Sequence, residues 1–352
     1  MELQPLKIGD ITAKYPIIQG GMGVGISMSS LAGAVAKEGG IGVISAAQPG
    51  FLEPDFNSNQ LEANLRALTY HIKKAKEISN GGIIGVNIMR AIRFYDEYVD
   101  CCIKAGADLI ISGAGLPITL PELVEGTSVK CAPIVSSLKA AKVLLGRYDK
   151  RYHLMCDMVV IEGPKAGGHL GFHMDELEDP STYDNYDNVV KDIVSYVKTF
   201  EEKYNKKIPV IFAGGVWDRS DIDHYMSLGC DGVQMATRFV PTEECDAAYE
   251  YKMAYIHAQK EDVQLTKSPV GMPGRAIHND FLDLRRTEKE TITKCFQCLE
   301  HCDIKTIPYC ITGALARAAK GDVKNSLLFC GSNVVKCDRI TTVKEIFDSL
   351  VH

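Results

Sequence analysis

Short apolar runs recur between residues 16 and 236, and segments with helical spacing separate them. The runs are rich in β-branched residues and do not alternate with polar ones. This pattern is typical of strands that are buried on both faces of a parallel sheet. Eight such strands are predicted, at residues 16–19, 41–45, 83–89, 109–112, 132–136, 158–161, 209–213 and 232–236.

The intervening segments predict helices, several of them with a plausible cap such as Ser29 or Asp218. Eight strand–helix units predict a (β/α)₈ TIM barrel. A doubly wound open sheet shows the same alternation and is the competing topology, but the count of eight favours the barrel. The predicted helices cover residues 29–37, 61–78, 94–104, 118–124, 139–145, 189–204 and 219–228.

Two regions lie outside this repeat. Residues 172–187 are acidic and polar, and they indicate an insertion after the sixth strand. Residues 243–352 follow the last strand and contain helical stretches and a group of cysteines. The sequence therefore predicts a barrel at residues 1–242 and a helical, cysteine-containing extension or lid at 243–352.

Charge and hydropathy narrow the choice of partners. The 352 residues include 39 Lys plus Arg and 45 Asp plus Glu, a net charge of −6, so nucleic acid is not an expected partner. No apolar run reaches the ~18 residues that a membrane span needs, and the first residues do not resemble a signal peptide. We expect a cytoplasmic protein without membrane association, and a homodimer on base rates.

Glycines follow the predicted strands at the end where barrel enzymes build their active sites. They occur at residues 20–25, 113–115, 163–168 and 214–215. Glycine lets the backbone approach a flat ring or a phosphate closely, so these loops indicate a phosphate-bearing ligand. Tight turns without a ligand are the alternative. A Rossmann site at 20–25 is not favoured, because the next strand, 41–45, does not end in an acidic residue.

Four segments carry a resemblance to a known family: residues 19–23, 162–169, 213–216 and 232–239. They resemble the nitronate monooxygenases, formerly called 2-nitropropane dioxygenases, which share this pattern with flavin-dependent enoyl-acyl-carrier-protein (enoyl-ACP) reductases. The resemblance covers about residues 5–285. It implies a TIM barrel that binds FMN and oxidises alkyl nitronates. An enoyl-ACP or enoyl-CoA reductase that takes electrons from NAD(P)H is the alternative.

The same resemblance implies where FMN contacts the chain. The first glycine loop packs along the isoalloxazine ring, the sixth loop lies beside the flavin, and the last two loops hold the phosphate. Glu162, at a strand end, either orients a ribityl hydroxyl or is a solvated charge. The implied cofactor-binding residues are Gly21, Met22, Gly23, Asn87, Ser112, Gly113, Lys139, Glu162, Gly167, Gly168, Ala213, Gly214, Gly215, Met235, Ala236 and Thr237.

Among the nine histidines, His169 alone follows a Gly-Gly pair at a predicted strand end. Both candidate reactions need a group that handles a proton beside the flavin. Imidazole suits this task because its ordinary pKa lies near the working pH. We therefore predict that His169 is the catalytic acid–base residue, with a purely structural histidine as the alternative.

Four of the twelve cysteines, Cys295, Cys298, Cys302 and Cys310, are close together in the sequence. In a cytoplasmic chain such a group indicates thiols or metal ligands rather than disulfides. The spacing resembles the [4Fe–4S] site of 2,4-dienoyl-CoA reductase and trimethylamine dehydrogenase, although the last gap is shorter. That resemblance implies a cluster that passes single electrons between FMN and an external electron carrier. Zinc and free thiols stay open as alternatives.

Two further interpretations compete with an FMN enzyme. A barrel that binds a phosphate ligand and senses redox state through its cysteines does not need a histidine after Gly-Gly. An enzyme similar to IMP dehydrogenase also fits Gly214 and Gly215. It needs a catalytic cysteine in the loop after the sixth strand, and residues 162–169 contain none.

Overall fold

A computed structural model describes residues 2–351 and shows a closed barrel of eight parallel strands, which confirms the predicted TIM barrel. A short antiparallel hairpin, β1 (Leu6–Ile8) and β2 (Ile11–Ala13), precedes it. The first and last barrel strands pair where Met235 lies beside Gln19. The barrel strands are β3 (Ile17–Gln19), β4 (Ile41–Ser45), β5 (Ile83–Met89), β6 (Leu109–Gly113), β7 (Lys130–Val135), β8 (Val159–Glu162), β10 (Val210–Ala213) and β11 (Gly232–Met235).

The barrel strands are buried on both faces, as their apolar sequences predict. Inside the barrel, side chains such as Ile18, Val43 and Ile111 form one apolar cluster. Leu6 and Ile8 of the hairpin belong to the same cluster, so the hairpin packs against the barrel interior. The opposite faces pack against the surrounding helices in a second, larger core.

Helices follow the barrel strands as predicted. Ser137 caps α5, where its Oγ accepts a hydrogen bond from the amide of Ala140 at 3.2 Å, and Asp218 caps α9 through the amides of Ser220 and Asp221. These helices are α1 (Ser29–Lys37), α2 (Gln60–Ser79), α3 (Tyr95–Ala105), α4 (Leu120–Val124), α5 (Leu138–Arg147), α8 (Tyr186–Tyr204) and α9 (Arg219–Ser227). The insertion after β8 contains the short helices α6 (Met174–Glu178) and α7 (Pro180–Asp184).

The predicted cap of α1 is wrong. Ser29 is the first helical residue and Met28 precedes the helix without a side-chain cap. Asp246, which follows the barrel, supplies the cap instead: its carboxylate accepts from the amides of Met28 at 2.8 Å, and of Ser30 and Leu31 at 3.2 Å. A carboxylate more than 200 residues away in sequence cannot be recognised from local spacing.

The extension contains strands as well as helices, and the sequence predicted only the helices. Its strands form an antiparallel sheet, and the central strand β13 also pairs with the two-residue strand β9 (Gly168–His169) of the loop after β8. The division at residue 242 stays a prediction from the sequence. The elements are α10 (Tyr249–His257), β12 (Val263–Lys267), β13 (Pro273–Ile277), α11 (Asp280–Thr287), α12 (Ile311–Ala319), β14 (Leu328–Phe329) and α13 (Val343–Val351).

Within residues 2–351, no helix combines the length and the apolar character needed to cross a bilayer.

Candidate active site

A cavity of about 400 Å³ opens at the carboxyl ends of the barrel strands, and we call it the glycine-lined cavity. The loops after all eight barrel strands and several segments of the extension line it. It brings together fifteen residues predicted from the sequence: Gly21, Met22, Gly23, Asn87, Gly113, Glu162, Gly167, Gly168, His169, Ala213, Gly214, Gly215, Met235, Ala236 and Thr237.

Two predicted cofactor-binding residues do not line this cavity. The Ser112 side chain is buried, where its hydroxyl donates to the carbonyl of Ile88 at 2.8 Å and lies 2.9 Å from the hydroxyl of Tyr95. Lys139 lies in the first turn of α5 and is exposed, and its neighbour Ala140 lines the cavity instead. The structure therefore places both residues beside the site rather than in it.

At Gly21 and Gly23 the first glycine loop packs too closely against its neighbours for these two positions to carry side chains. A Cβ on Gly21 would lie 2.4 Å from the Cβ of Asn87, and one on Gly23 would lie 2.5 Å from the Oγ of Ser45. Ser27 holds the loop through its hydroxyl, which accepts from the amide of Met22 at 2.7 Å. The wall of the cavity here consists largely of backbone, as a flat ring requires.

The turns after β10 and β11 form the part of the cavity where the sequence predicts a phosphate. Gly214 and Gly215 have φ angles of +112° and +86°, a region that side chains disfavour. Turns of this kind present successive backbone amides to an anion. The extension packs onto them: the amide of Gly331 donates to Thr237 Oγ1 at 3.0 Å, and Asn333 Nδ2 donates to the carbonyl of Gly215 at 2.6 Å.

His169 lies on β9, where pairing with Gly274 of β13 fixes its backbone. Its Nε2 lies 2.6 Å from Ser268 Oγ, and its ring contacts the ring of Phe329 edge-on with centroids 4.8 Å apart. Burial lowers the pKa of His169 to about 4. The imidazole is therefore neutral at pH 7, and this pKa lies below the value near the working pH that the sequence led us to expect.

Glu162, at the end of β8, is a second ionisable group in the cavity wall. Burial raises the pKa of its carboxyl to about 7, although the hydrogen bond from the amide of Gly171 and the charge of Arg275 act in the opposite direction. Gly171 donates to Glu162 Oε2 at 2.7 Å. Arg275 is itself buried and donates to the carbonyl of Ala166 and, at 3.1 Å, to Tyr183. The site thus holds a carboxyl group that titrates near neutral pH.

Several cavity residues were not predicted. Gln234 on β11 lines the cavity, and its buried Oε1 has no hydrogen-bond partner among residues 2–351. A polar residue within an apolar strand was the signal that would have identified it. The residues from the extension carried no such signal, because folding alone brings them to the barrel: Tyr251, Tyr255, Met272, Leu315, Phe329, Cys330, Gly331 and Asn333.

The residues present fit FMN. A Cβ on Gly168, which has φ +75°, would meet no atom within 4 Å, so open space lies above this backbone. The unpartnered Oε1 of Gln234 is available to a ligand N–H or O–H group. The positive-φ turn at Gly214 and Gly215 suits a phosphate. The backbone at Gly168, the acceptor on Gln234 and the turn at Gly214 and Gly215 thus all lie around a single cavity.

The four clustered cysteines line a second, smaller cavity of about 20 Å³, which we call the cysteine pocket. Cys295 is exposed, whereas Cys298, Cys302 and Cys310 are partly buried. Within residues 2–351, no group of three or more His, Cys, Asp or Glu side chains is arranged to hold a single metal ion. The structure therefore brings the four predicted ligands to one pocket. Their side chains are not arranged around a single metal ion.

This barrel, with a backbone-walled cavity and a histidine at its strand ends, has the architecture of a flavin-dependent oxidoreductase. The family model described as nitronate monooxygenase matches residues 4–352. The chain belongs to the nitronate monooxygenase family. It is therefore an enzyme, and the family supports FMN as its cofactor.

Individual relatives agree with this assignment. A probable nitronate monooxygenase of Staphylococcus saprophyticus is 26% identical over 80% of this chain and 81% of its own. Two structures of FabK from Thermotoga maritima, the second an M276A mutant, have TM-scores of 0.71 and 0.68 at 24% and 25% identity, covering 96% of this chain and 92% and 91% of theirs. A nitroalkane oxidase of Streptomyces ansochromogenes has a TM-score of 0.69 at 19% identity, covering 96% and 95%, and shares the fold.

Proposed function

We propose that this protein is an FMN-dependent oxidoreductase that oxidises alkyl nitronates, with His169 as its acid–base residue. The proposal rests on one observation. In this chain, which belongs to the family, a neutral and oriented histidine lines the glycine-lined cavity beside open space. FMN, when bound, supplies the electron acceptor for the substrate. The fit of this cavity to a flat, phosphate-bearing cofactor supports that choice.

The surroundings of His169 suit it to receive a proton. Because its pKa is about 4, the ring is unprotonated at pH 7 and has a free lone pair. The contact of Nε2 with Ser268 Oγ orients the ring. When the ring takes the α-carbon proton of a neutral nitroalkane, the C–H electron pair stays on the substrate as the nitronate, and this anion stabilises the imidazolium beside it. Glu162 is a second proton carrier at the same wall, since its pKa is about 7.

An enoyl-ACP or enoyl-CoA reductase is the second candidate. Met89, Ile92, Leu116 and Leu315 are among the apolar residues that line the cavity, and such a lining suits an acyl chain. The 25% identity to a FabK structure over most of both chains supports it. In this alternative NAD(P)H supplies the electrons, or an external carrier supplies them through an iron–sulfur relay.

Spectra of the anaerobically purified holoenzyme separate the two candidates. We expect ethyl nitronate to bleach the flavin absorbance, and the variant His169→Ala to retain FMN but to bleach far more slowly with nitroethane, whose α-carbon proton must first be removed. His173→Ala is the matched control, because this exposed histidine lies in the same loop and caps α6. Bleaching by NADPH alone, with recovery on adding crotonyl-CoA, supports the reductase. Equal rates in His169→Ala and His173→Ala contradict the acid–base role.

We also propose a cytoplasmic location. All twelve cysteines are free, and a chain without disulfides suits a reducing compartment. A homodimer and an external electron carrier stay predictions from the sequence.

A further inference from the structure

We propose that Cys295, Cys298, Cys302 and Cys310 bind a [4Fe–4S] cluster in the cysteine pocket. All four side chains line this one cavity, although the last is separated from the others by a loop. The other eight cysteines do not line it: they are buried at separate places in the barrel and the extension. Four convergent thiols are the usual ligand set of such a cluster.

The backbone already supports two of these sulfurs. The amide of Gln297 donates to Cys295 Sγ at 3.4 Å, and the amide of Gly313, in the first turn of α12, donates to Cys310 Sγ at 3.4 Å. Hydrogen bonds to sulfur stabilise ligating thiolates and tune the potential of a cluster. Cys310 also precedes α12, whose N-terminal dipole favours negative charge on this ligand.

The turn between the first two cysteines is strained. Gln297 has φ +48°, in the left-handed region that costs energy for a residue with a side chain. Such outliers persist where surrounding structure demands them, and they occur most often at functional sites. Here the left-handed residue lies between Cys295 and Cys298, whose side chains line the same pocket.

The remaining wall of the pocket combines apolar and cationic side chains. Ile292, Leu299, Ile304 and Ile307 form the apolar part of this wall, in which Leu299 is buried and Ile304 is exposed, and a cluster with four thiolate ligands carries net negative charge. Arg93 and Lys294 line the same pocket and supply positive charge. Cations and an apolar shell together fit a thiolate-ligated cluster better than four neutral thiols.

Zinc and an iron–sulfur cluster make different demands on four thiols. Zinc needs four sulfurs around a single ion, at about 2.3 Å from it, and residues 2–351 contain no group so arranged. A cubane cluster takes one thiolate at each of four iron atoms, so its ligands lie further apart.

The pocket also lies next to the glycine-lined cavity. Ile92 lines that cavity and forms a β-bridge with Leu299 of the pocket wall. On the other side, α12 starts directly after Cys310, and Leu315 of the same helix lines the cavity. Five residues of helix span about 8 Å. A one-electron centre in the pocket is therefore separated from the cofactor cavity by a thin layer of side chains, whichever substrate the enzyme uses.

Metal analysis of the full chain tests the proposal. After anaerobic purification and reconstitution with Fe²⁺ and sulfide, we expect about four iron and four sulfide per chain, and an EPR signal after reduction by dithionite. The variants Cys298→Ala and Cys302→Ala should lose most of the iron and the signal. Cys230→Ala, a buried cysteine that lines neither cavity, is the matched control and should retain both.

The outcomes are independent of the nitronate reaction, because iron content and flavin bleaching are separate measurements. Wild-type protein that takes up zinc but no iron, or neither metal, overturns the proposal even if the variants fail to fold. Equal iron in Cys302→Ala and Cys230→Ala overturns it as well. A cluster in protein whose flavin does not react with ethyl nitronate supports the cluster and contradicts the proposed function alone.

Discussion

The glycine-lined cavity and the cysteine pocket are two kinds of site in one chain. Loops from residue 20 to residue 333 build the first, and glycines form part of its wall. In the second, all four candidate ligands fall between residues 295 and 310. A site assembled from loops throughout the chain depends on the whole barrel, whereas a site whose candidate ligands are close in sequence depends on a few residues and their spacing. The two sites should therefore respond differently to mutation.

Blocking the close approach of FMN to the backbone of the first glycine loop should have the largest effect on cofactor binding. In Gly21→Ala the new Cβ would lie 2.4 Å from the Cβ of Asn87, so the loop must move. Overpacking typically costs about 1–3 kcal/mol, and we expect FMN affinity to fall by about 10- to 100-fold. Fluorescence titration of apoprotein with FMN measures this change, and the iron content should not fall.

Gly146→Ala is the control for this variant. Gly146 lies within α5, where a Cβ would meet only Tyr196 Oη at 3.8 Å. Alanine is the better helix former, so this variant should be slightly more stable and should bind FMN normally. Unchanged FMN affinity in Gly21→Ala contradicts the role of the first glycine loop.

The pH dependence of stability should next reveal the two ionisable groups of the cavity. Glu162 has its pKa raised to about 7 from 4.5, so its contribution to stability is lost as pH rises through that window. His169 has its pKa lowered to about 4 from 6.5, so its contribution is lost as pH falls through 4. Urea unfolding of the apoprotein at several pH values measures both.

Glu162→Gln isolates the first contribution. Glutamine retains an acceptor for the amide of Gly171 but cannot ionise. Relative to wild type, we expect this variant to gain stability as pH rises from 4.5 to about 7 and the difference to level off above that. A difference that is constant over this range would show that Glu162 titrates normally.

Removing the contact between the barrel and Asp246 of the extension should have a smaller effect, and this effect is on stability. Asp246→Ala removes the carboxylate that accepts from three amides at the start of α1. Loss of a helix cap typically costs about 0.5–2 kcal/mol, and we expect this range in urea unfolding. Asp218→Ala, which uncaps α9 within the barrel, is the comparison. A much larger loss in Asp246→Ala would show that the cap also holds the extension on the barrel.

Substitution of Lys139 should have the smallest effect on FMN affinity. The resemblance to the family places it at the flavin, whereas the structure leaves it exposed outside the cavity. Exposed substitutions usually change stability or binding by no more than about 0.5 kcal/mol, so Lys139→Ala should alter FMN affinity by about twofold at most. A loss of tenfold or more would support the prediction from the sequence.

The two sites also differ in how well the sequence predicted them. Fifteen of the predicted residues share the glycine-lined cavity, because parallel strands in a closed barrel bring their carboxyl ends to one rim. Gln234 was missed, although it stands out as polar on an apolar strand. Ser112 illustrates a limit: the strand pattern places it at the rim but does not tell which way its side chain points.

The sequence by itself determined the barrel, its eight strands and the glycine turns at their ends, because these depend on local periodicity and on residue types with particular backbone preferences. It also determined the cysteine spacing. Only the tertiary structure decided that β13 pairs beside His169, that Gly331 and Asn333 cover the predicted phosphate turn, and that Asp246 caps α1. The neutral state of His169 has the same origin, since burial arises from segments that are distant in sequence. Such contacts carry no local signal, because the residues that form them become neighbours only when the chain has folded.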